Sequence, residues 1–393
     1  MEKVIFHFVI TEYYPDKGGI QTSMRRIAEE LTESFKDSCY FVYVLNTKAN
    51  NNERVFYLNN FIKIFIGDAL TTESEKKRKK EYHHITYFAL LELLKENSKK
   101  FYEHQHIIIS FGTSTAGYFG QIASAMLKIP HITSVRGSDF SVRFISHGTK
   151  DNFELIMRNA HYVVTTNRTQ QNVLQELFAD SLTDKITTIH NAVLESEMYR
   201  KETFSKDGRI RLFSDCGLSY KKGTKFIIDC FERLLDMNYN VQLTILGENF
   251  DSDNQNWKKL IDKCIKKHKG RFQYLGYRDD IQNFYISEDI YLSASVSEGC
   301  SNSRITALCT GTPMVSFDNG ALPDYDFDRS LIYTSPLGNL SAFTKCVMDA
   351  IHEIQYKNTI VSKQDIDSRR SYFSRQREQK EWLQVIKHVI NKL

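Results

Sequence analysis

A short apolar run followed by a helical pattern recurs along the 393-residue chain, and no other feature limits the fold as much. Strands buried on both faces read as continuous apolar runs, and parallel pairing requires a helix between successive strands. In the first half the candidate strands are Val4 to Ile10, Tyr40 to Leu45, Ile62 to Phe65, Ile107 to Ser110, Ile132 to Val135, Tyr162 to Thr165 and Ile186 to Ile189. Between the first two, Ile20, Met24, Ile27, Ala28 and Leu31 share one helical face, and Tyr87, Leu90, Leu91 and Leu94 do so later. After Lys201 to Arg209, a polar stretch read as a linker, the rhythm restarts. Strands are expected at Ile210 to Phe213, Val241 to Leu246, Phe272 to Leu275, Ile290 to Ala294 and Met314 to Phe317, with a helix carrying Phe226, Ile227, Cys230, Phe231 and Leu234. From Asp365 to Leu393 the chain is charged, with Trp382, Val385, Ile386 and Ile390 as the apolar stripe of one terminal helix. The predicted fold class is α/β: two doubly wound domains in tandem, 1–195 and 196–370, facing across a cleft, with a helix at 371–393 packing toward the first.

Composition excludes some functions. Fifty-two Lys+Arg against 48 Asp+Glu leaves +4, too balanced for a dedicated nucleic-acid binder. The apolar opening is only seven residues long, Val4 to Ile10, and reads as a strand rather than a signal peptide. No apolar run approaches the roughly 18 residues of a membrane span. Seven scattered cysteines form no CxxC pair, which predicts free thiols in a reducing, cytoplasmic compartment. The twelve histidines show no HxH or HExxH spacing, so no metal site is expected.

Sheets of this kind bind ligands beyond the carboxyl ends of their strands, so the segments that follow strands carry the functional reading. Pro15 to Ile20 contains Gly18-Gly19 before the first helix; uncovered amides at a helix start suit an anion, and an ordinary tight turn is the simpler reading. Lys222, in Gly217 to Thr224 after the first strand of the second half, is either a diphosphate ligand or a solvated loop lysine. Ser297-Glu298-Gly299-Cys300-Ser301-Asn302-Ser303 is the most informative stretch: a strand ends, a glycine turn follows, and a helix starts near Asn302. Glu298 is thereby a carboxylate at a strand end beside free helix amides.

This segment, with Ala307-Leu308 and Gly311-Thr312-Pro313, resembles the SEG…AL…GTP signature of retaining GT-B glycosyltransferases, family 4 in particular. Other elements fall in the family's order: Tyr14-Pro15 to Ile20, Arg136-Gly137-Ser138-Asp139, Lys185 to Ala192, Lys222-Gly223, Gly247-Glu248, and Leu275-Gly276-Tyr277 to Ile281. The resemblance implies two Rossmann-like domains and transfer of a sugar from a nucleotide sugar to a glycan, glycolipid or protein-linked acceptor, with retention at the anomeric carbon. It implies that Glu298 holds donor-sugar hydroxyls, Lys222 holds the diphosphate, and amides after Glu298 and near Gly19 stabilise the leaving phosphate. Arg136 falls where the family has a histidine near the reacting sugar. Gly247, Glu248, Tyr277, Gly299, Asn302, Ser303 and Thr306 complete the implied donor site. No cofactor or metal is implied, and the donor is a UDP-sugar in first place, with CMP- and GDP-sugars as alternatives.

Three positions depart from the family pattern. Thr306 stands where a second glutamate binds ribose hydroxyls, Gly217 where an arginine holds the diphosphate, and Arg136 where the histidine is expected. Each lost charge-assisted hydrogen bond costs roughly 1.5–3 kcal/mol, and Lys221, Arg136 or Arg304 could restore positive charge. The departures keep open a second class of function, a non-catalytic GT-B subunit that binds a glycan or a partner glycosyltransferase.

The basic run Lys76-Lys77-Arg78-Lys79-Lys80 precedes Tyr82, His83, His84 and the stripe from Tyr87. Five charges at about 1 kcal/mol each support reversible attachment to an anionic membrane, while Glu73, Glu75 and Glu81 equally suit a solvated face. The expectation for the whole is a bacterial enzyme of surface-polysaccharide or glycoconjugate synthesis, cytoplasmic or peripheral on the inner face of the plasma membrane.

Overall fold

The computed structural model describes residues 3–11, 19–35, 37–45, 55–59, 62–66, 88–137, 150–193, 199–248 and 254–392, with only the backbone at 55–59 and 62–66. The chain divides into two compact units, 1–191 with 376–393, and 192–375. Each is built on one sheet with helices on both faces, as in the GT-B fold that the alternating pattern and the resemblance predict.

The first unit contains β1 (Val4–Ile10), α1 (Gly19–Ser34), β2 (Cys39–Val44), β3 (Val55–Asn59), β4 (Ile62–Ile66), α2 (88–100), β5 (Gln105–Phe111), α3 (Thr115–Leu127), β6 (His131–Ser134), α4 (Lys150–Asn159), β7 (Tyr162–Thr165), α5 (Arg168–Leu177), α6 (Ala179–Leu182) and β8 (Ile186–Thr188). The strand order is β3-β4-β2-β1-β5-β6-β7-β8. Strand β1 shows why both faces are covered. Val4, Phe6, Phe8 and Ile10 face one core with Met24 and Leu31 of α1, while Ile5 and Val9 face another with Leu90 and Leu94 of α2. One expectation changes here: β3 pairs antiparallel with β4, so the sheet is not purely parallel.

The second unit contains β9 (Ile210–Ser214), α7 (Thr224–Asp236), β10 (Val241–Leu246), α8 (Asn254–Lys267), β11 (Phe272–Gly276), α9 (Ile281–Ser287), β12 (Ile290–Ser293), α10 (Asn302–Thr310), β13 (Met314–Phe317), β14 (Ile332–Ser335), α11 (Leu340–His352) and α12 (Lys363–Tyr372). Its sheet is parallel throughout, in the order β11-β10-β9-β12-β13-β14. The order reverses beside β9, and the loops after β9 and β12 flank that switch point.

Two further expectations are corrected. Lys201 to Arg209 does not link the two units but lies inside the second: Lys201 is 1% exposed, its ammonium donates to the Ile286 and Glu288 carbonyls at 3.1 and 2.6 Å, and Phe204 joins the core. Asp289 anchors the same segment by accepting from the backbone N–H groups of Ser205 and Arg211, each at 2.8 Å. The C-terminal stretch is two helices, not one. Helix α12 stops at Phe373, which is buried in the second unit, and α13 (Arg375–Asn391) places Trp382, Val385, Ile386 and Ile390 in the core of the first.

Candidate functional site

The carboxyl edge of the second sheet gathers most of the residues the sequence singles out. The loop after β9 reaches α7 through Gly223, whose φ of 76° lies in the left-handed region. A Cβ there would overlap the Ala294 carbonyl oxygen at the end of β12, so only glycine lets the lysine loop lie against the glutamate loop. The lysine loop is closed from within by Thr224, whose hydroxyl lies 2.7 Å from the Gly217 carbonyl and accepts from Ser219 N–H at 3.0 Å.

Lys222 then reaches across to the loop after β12, and its ammonium donates to Glu298 Oε1 at 2.6 Å. The lysine side chain is 41% exposed and the glutamate only 12%. Burial by itself raises the Glu298 carboxyl, but the charges of Lys222 and Arg304 and hydrogen bonds from Lys222 and Ser295 outweigh it. The group is held below the usual carboxylate range, so Glu298 is a half-buried, ionised acceptor at neutral pH.

Glu298 stands four residues before α10. Ser301 caps that helix, accepting from Arg304 N–H, and Gly311 ends it at φ 76°. The helix start, with Asn302 and Ser303, is half-buried rather than sealed in the core. Thr306 is buried, and its hydroxyl donates to the Asn302 carbonyl at 3.0 Å within the helix, which commits its proton to the backbone.

The neighbouring loops add Gly247, Glu248 and Tyr277. Gly247 N–H donates to the Gly276 carbonyl at 2.7 Å, and the Glu248 carbonyl accepts from Leu218 N–H at 2.9 Å, tying the β10 loop to those after β11 and β9. Tyr277 is exposed and its hydroxyl donates to Asp279 at 3.0 Å.

Sequence reading passed over Asn319 and Gly320. They follow β13, and an Asn-Gly pair after a strand is a turn signal that could have drawn notice. Gly320 (φ 70°) packs so closely that a Cβ would stand 2.7 Å from the Gly299 carbonyl oxygen and 3.0 Å from Glu298 Cβ. Asp215, at the end of β9, was also missed; its carboxylate accepts from the Tyr285 and Tyr291 hydroxyls, each at 2.8 Å, and so fixes the floor of the edge.

Gly19 and Arg136 belong to the first unit. Gly19 begins α1, after β1, and Arg136 follows β6. Arg136 is buried, donates to Asn191 Oδ1 at 3.2 Å and lies 4.6 Å from the centre of the Phe111 ring. His190 and Asn191 are buried at the end of that unit, and their carbonyls accept from Arg377 on α13 at 2.7 and 3.5 Å. Lys76 to Lys80, His83 and His84, with Ser138 and Asp139, lie outside the described residues. Among the described residues no cluster of three His, Cys, Asp or Glu side chains could hold a metal ion, and no helix is long and apolar enough to cross a membrane. A cavity of about 600 Å³ lined by Phe204, Ile210 and Tyr356 opens where β9 begins, at the opposite edge of the sheet from Lys222.

Residues 212–353 match the family model described as glycosyl transferases group 1, a span that contains Lys222, Gly247, Glu248, Tyr277, Glu298, Gly299, Asn302, Ser303 and Thr306 but not Gly19 or Arg136. An uncharacterized glycosyltransferase of Methanocaldococcus jannaschii is 19% identical over 350 residues, 88% of this chain and 89% of its own length. The structure is similar to that of HepE from Anabaena in complex with UDP and glucose (TM-score 0.73, 15% identity, 97% of this chain and 99% of that one). It is also similar to sucrose-phosphate synthase from Thermosynechococcus elongatus (TM-score 0.75, 12% identity, all of both chains). The chain therefore has the GT-B glycosyltransferase fold, and its second unit carries the match to the group 1 glycosyl transferases.

Proposed function

We propose that the protein is a retaining, metal-independent glycosyltransferase that moves a sugar from a nucleotide-sugar donor, a UDP-sugar in first place, to a glycan, glycolipid or protein-linked acceptor. The observation that carries the reading is the Lys222–Glu298 pair at 2.6 Å on the carboxyl edge of the matched unit. Glu298 is ionised and can accept hydrogen bonds from two sugar hydroxyls, and its half-buried position limits competition from water. Lys222 is the more exposed partner; its point charge can turn to the diphosphate as negative charge develops on the leaving group. Amides at the start of α10 add a second source of positive potential. Charge stabilisation of this kind is the main catalytic term available, and departure of the nucleotide leaves the same face of the sugar open to the acceptor. Gly19 and Arg136 keep, as part of the proposal, the phosphate and reacting-sugar roles that the family resemblance gives them. A UDP donor is favoured because a structure of the same fold was solved with UDP and glucose.

Thermal unfolding against UDP, GDP, ADP, TDP, CMP and CDP tests the donor site without an acceptor. A ligand at a hundred times its Kd stabilises by about 2.7 kcal/mol, a shift of several degrees. The expected result is a selective rise with uridine nucleotides that Lys222→Gln diminishes. Millimolar concentrations of all six without any shift overturn the reading. Once an acceptor is known, the anomeric proton coupling of the product, read by NMR against that of the donor, tests retention.

A further inference from the structure

We infer that Arg304 is a positioning residue for Glu298: it fixes the loop that carries the carboxylate and supplies the countercharge that stays when Lys222 turns to a phosphate. The inference deepens the proposed donor site and rests on it.

Arg304 lies within the first turn of α10 and is 3% exposed. Its Nε donates to Ser293 Oγ at 2.9 Å, and Nη1 donates to the Asn319 carbonyl and Oδ1 at 2.9 and 2.8 Å. Asn319 in turn donates from Nδ2 to the Ser295 carbonyl at 2.9 Å. One guanidinium thus ties the end of β12, the segment leading to Glu298 and the loop after β13. Because Gly320 lies against Glu298 Cβ and the Gly299 carbonyl, the Asn319 anchor also holds that wall in place.

Stability does not account for an arginine here. The neighbouring side chains Ile305, Ala307 and Leu308 are apolar and buried, and a buried cation costs more than an apolar residue of similar volume unless it is fully paired. Nη2 has no hydrogen-bond partner among the described residues.

The charges that face Glu298 explain its use. Lys222 bonds to it from the loop after β9, and the charge of Arg304 on α10 and the uncharged Ser295 hydroxyl also act on it. The β13 loop brings the uncharged Asn319 and Gly320, and Asp318 beside them is exposed. Lys222 is the half-exposed cation and Arg304 the buried one, held by three hydrogen bonds. A buried carboxylate stripped of its only cation takes up a proton, and a protonated glutamate would no longer accept from two sugar hydroxyls. With Arg304 in place, Lys222 can serve the diphosphate and Glu298 stays an acceptor.

The test is a titration of protein labelled with glutamate at 13Cδ, with the Glu298 resonance identified by its loss in Glu298→Gln. Lys222→Gln imitates departure of the lysine; Arg304→Gln and Arg304→Lys are added to that background. Glu298 should titrate roughly one unit or more higher with Arg304→Gln than with arginine present, and Arg304→Lys should return most of the shift. With Lys222 intact, the acidic limb of kcat/KM should move up in Arg304→Gln while the UDP midpoint shift is unchanged. A folded Arg304→Gln protein whose Glu298 titration does not move overturns the inference. Should that variant fail to fold, Arg304→Lys decides: it should keep the low titration yet lose about tenfold or more in kcat through the missing fork, and an unchanged kcat overturns the positioning role. The titration needs no turnover, so wild type that binds no nucleotide sinks the donor-site reading alone, while active wild type with an unmoved Glu298 sinks this inference alone.

Discussion

Arg26 on α1 and Glu378 on α13, 352 positions apart, form a buried, two-bonded ion pair in the first unit: Nε to Oε2 at 2.6 Å and Nη2 to Oε1 at 2.9 Å. The side chains are 6% and 1% exposed. Breaking such a pair from one side takes two charge-assisted hydrogen bonds from a buried charge, so Glu378→Ala should destabilise the first unit by about 3–5 kcal/mol. Arg26→Met with Glu378→Leu should recover most of that loss. The two tryptophans make the measurement selective in denaturant unfolding: Trp382 is buried in the first unit and Trp257 in the second.

Gly320→Ala should damage the site more than the fold. The added methyl meets the Gly299 carbonyl and Glu298 Cβ at φ 70°, a conformation a non-glycine residue adopts at some cost. A loss of about 1–2 kcal/mol in the unfolding free energy is expected, with a fall of about a hundredfold in transfer from displacement of the carboxylate. Wild-type turnover in this variant would remove Glu298 from the site.

Lys222 and Glu298 should separate in their effects. Lys222→Gln should weaken nucleotide diphosphate binding by about 1.5–3 kcal/mol, read by calorimetry. Glu298→Gln should abolish transfer while the nucleotide midpoint shift remains, because the carboxylate is assigned to the sugar. Equal loss of nucleotide binding in both variants would contradict that division.

Glu288 supplies a pH signature unconnected with the site. Burial, aided by the neighbouring Asp289 charge and opposed by Arg211 and Lys201, pushes its carboxyl up to about 7. A raised carboxyl binds its proton more tightly folded than unfolded, so its contribution to stability is full below the unfolded value of about 4.3 and is lost as pH rises toward 7. Glu288→Gln should therefore be more stable than wild type at pH 8, by at most roughly 4 kcal/mol, with the difference gone at pH 4. Paired urea melts at the two pH values read it directly.

Much of this protein is legible in its sequence. Apolar runs and one-face helices are imposed by backbone geometry, with periods of 2 and 3.6, and need no knowledge of partners. Strands β1, β7, β10 and β13 stand at the bounds their apolar runs predict. The start of α10 at Asn302 follows from a serine cap and a preceding glycine turn, both local features. That Glu298 would stand at a strand end beside a helix start was legible for the same reason.

The tertiary structure decided what depends on residues distant in sequence. Nothing near Lys201 announces that its ammonium would find two carbonyls at the end of α9, or that Glu298 and Lys222, 76 positions apart, would meet at 2.6 Å. The break at Phe373 is illegible in a uniformly charged stretch, because its cause is competition between cores: Phe373 is buried in one unit and Trp382 in the other. The sequence offers Arg304 only as a charge that could offset the departures, and its burial depends on Ser293 at the end of β12 and Asn319 in the loop after β13, which accept from its guanidinium. Local periodicity thus sets the elements, whereas the pairing of charges in a low-dielectric edge is set by the order in which the sheet assembles its strands.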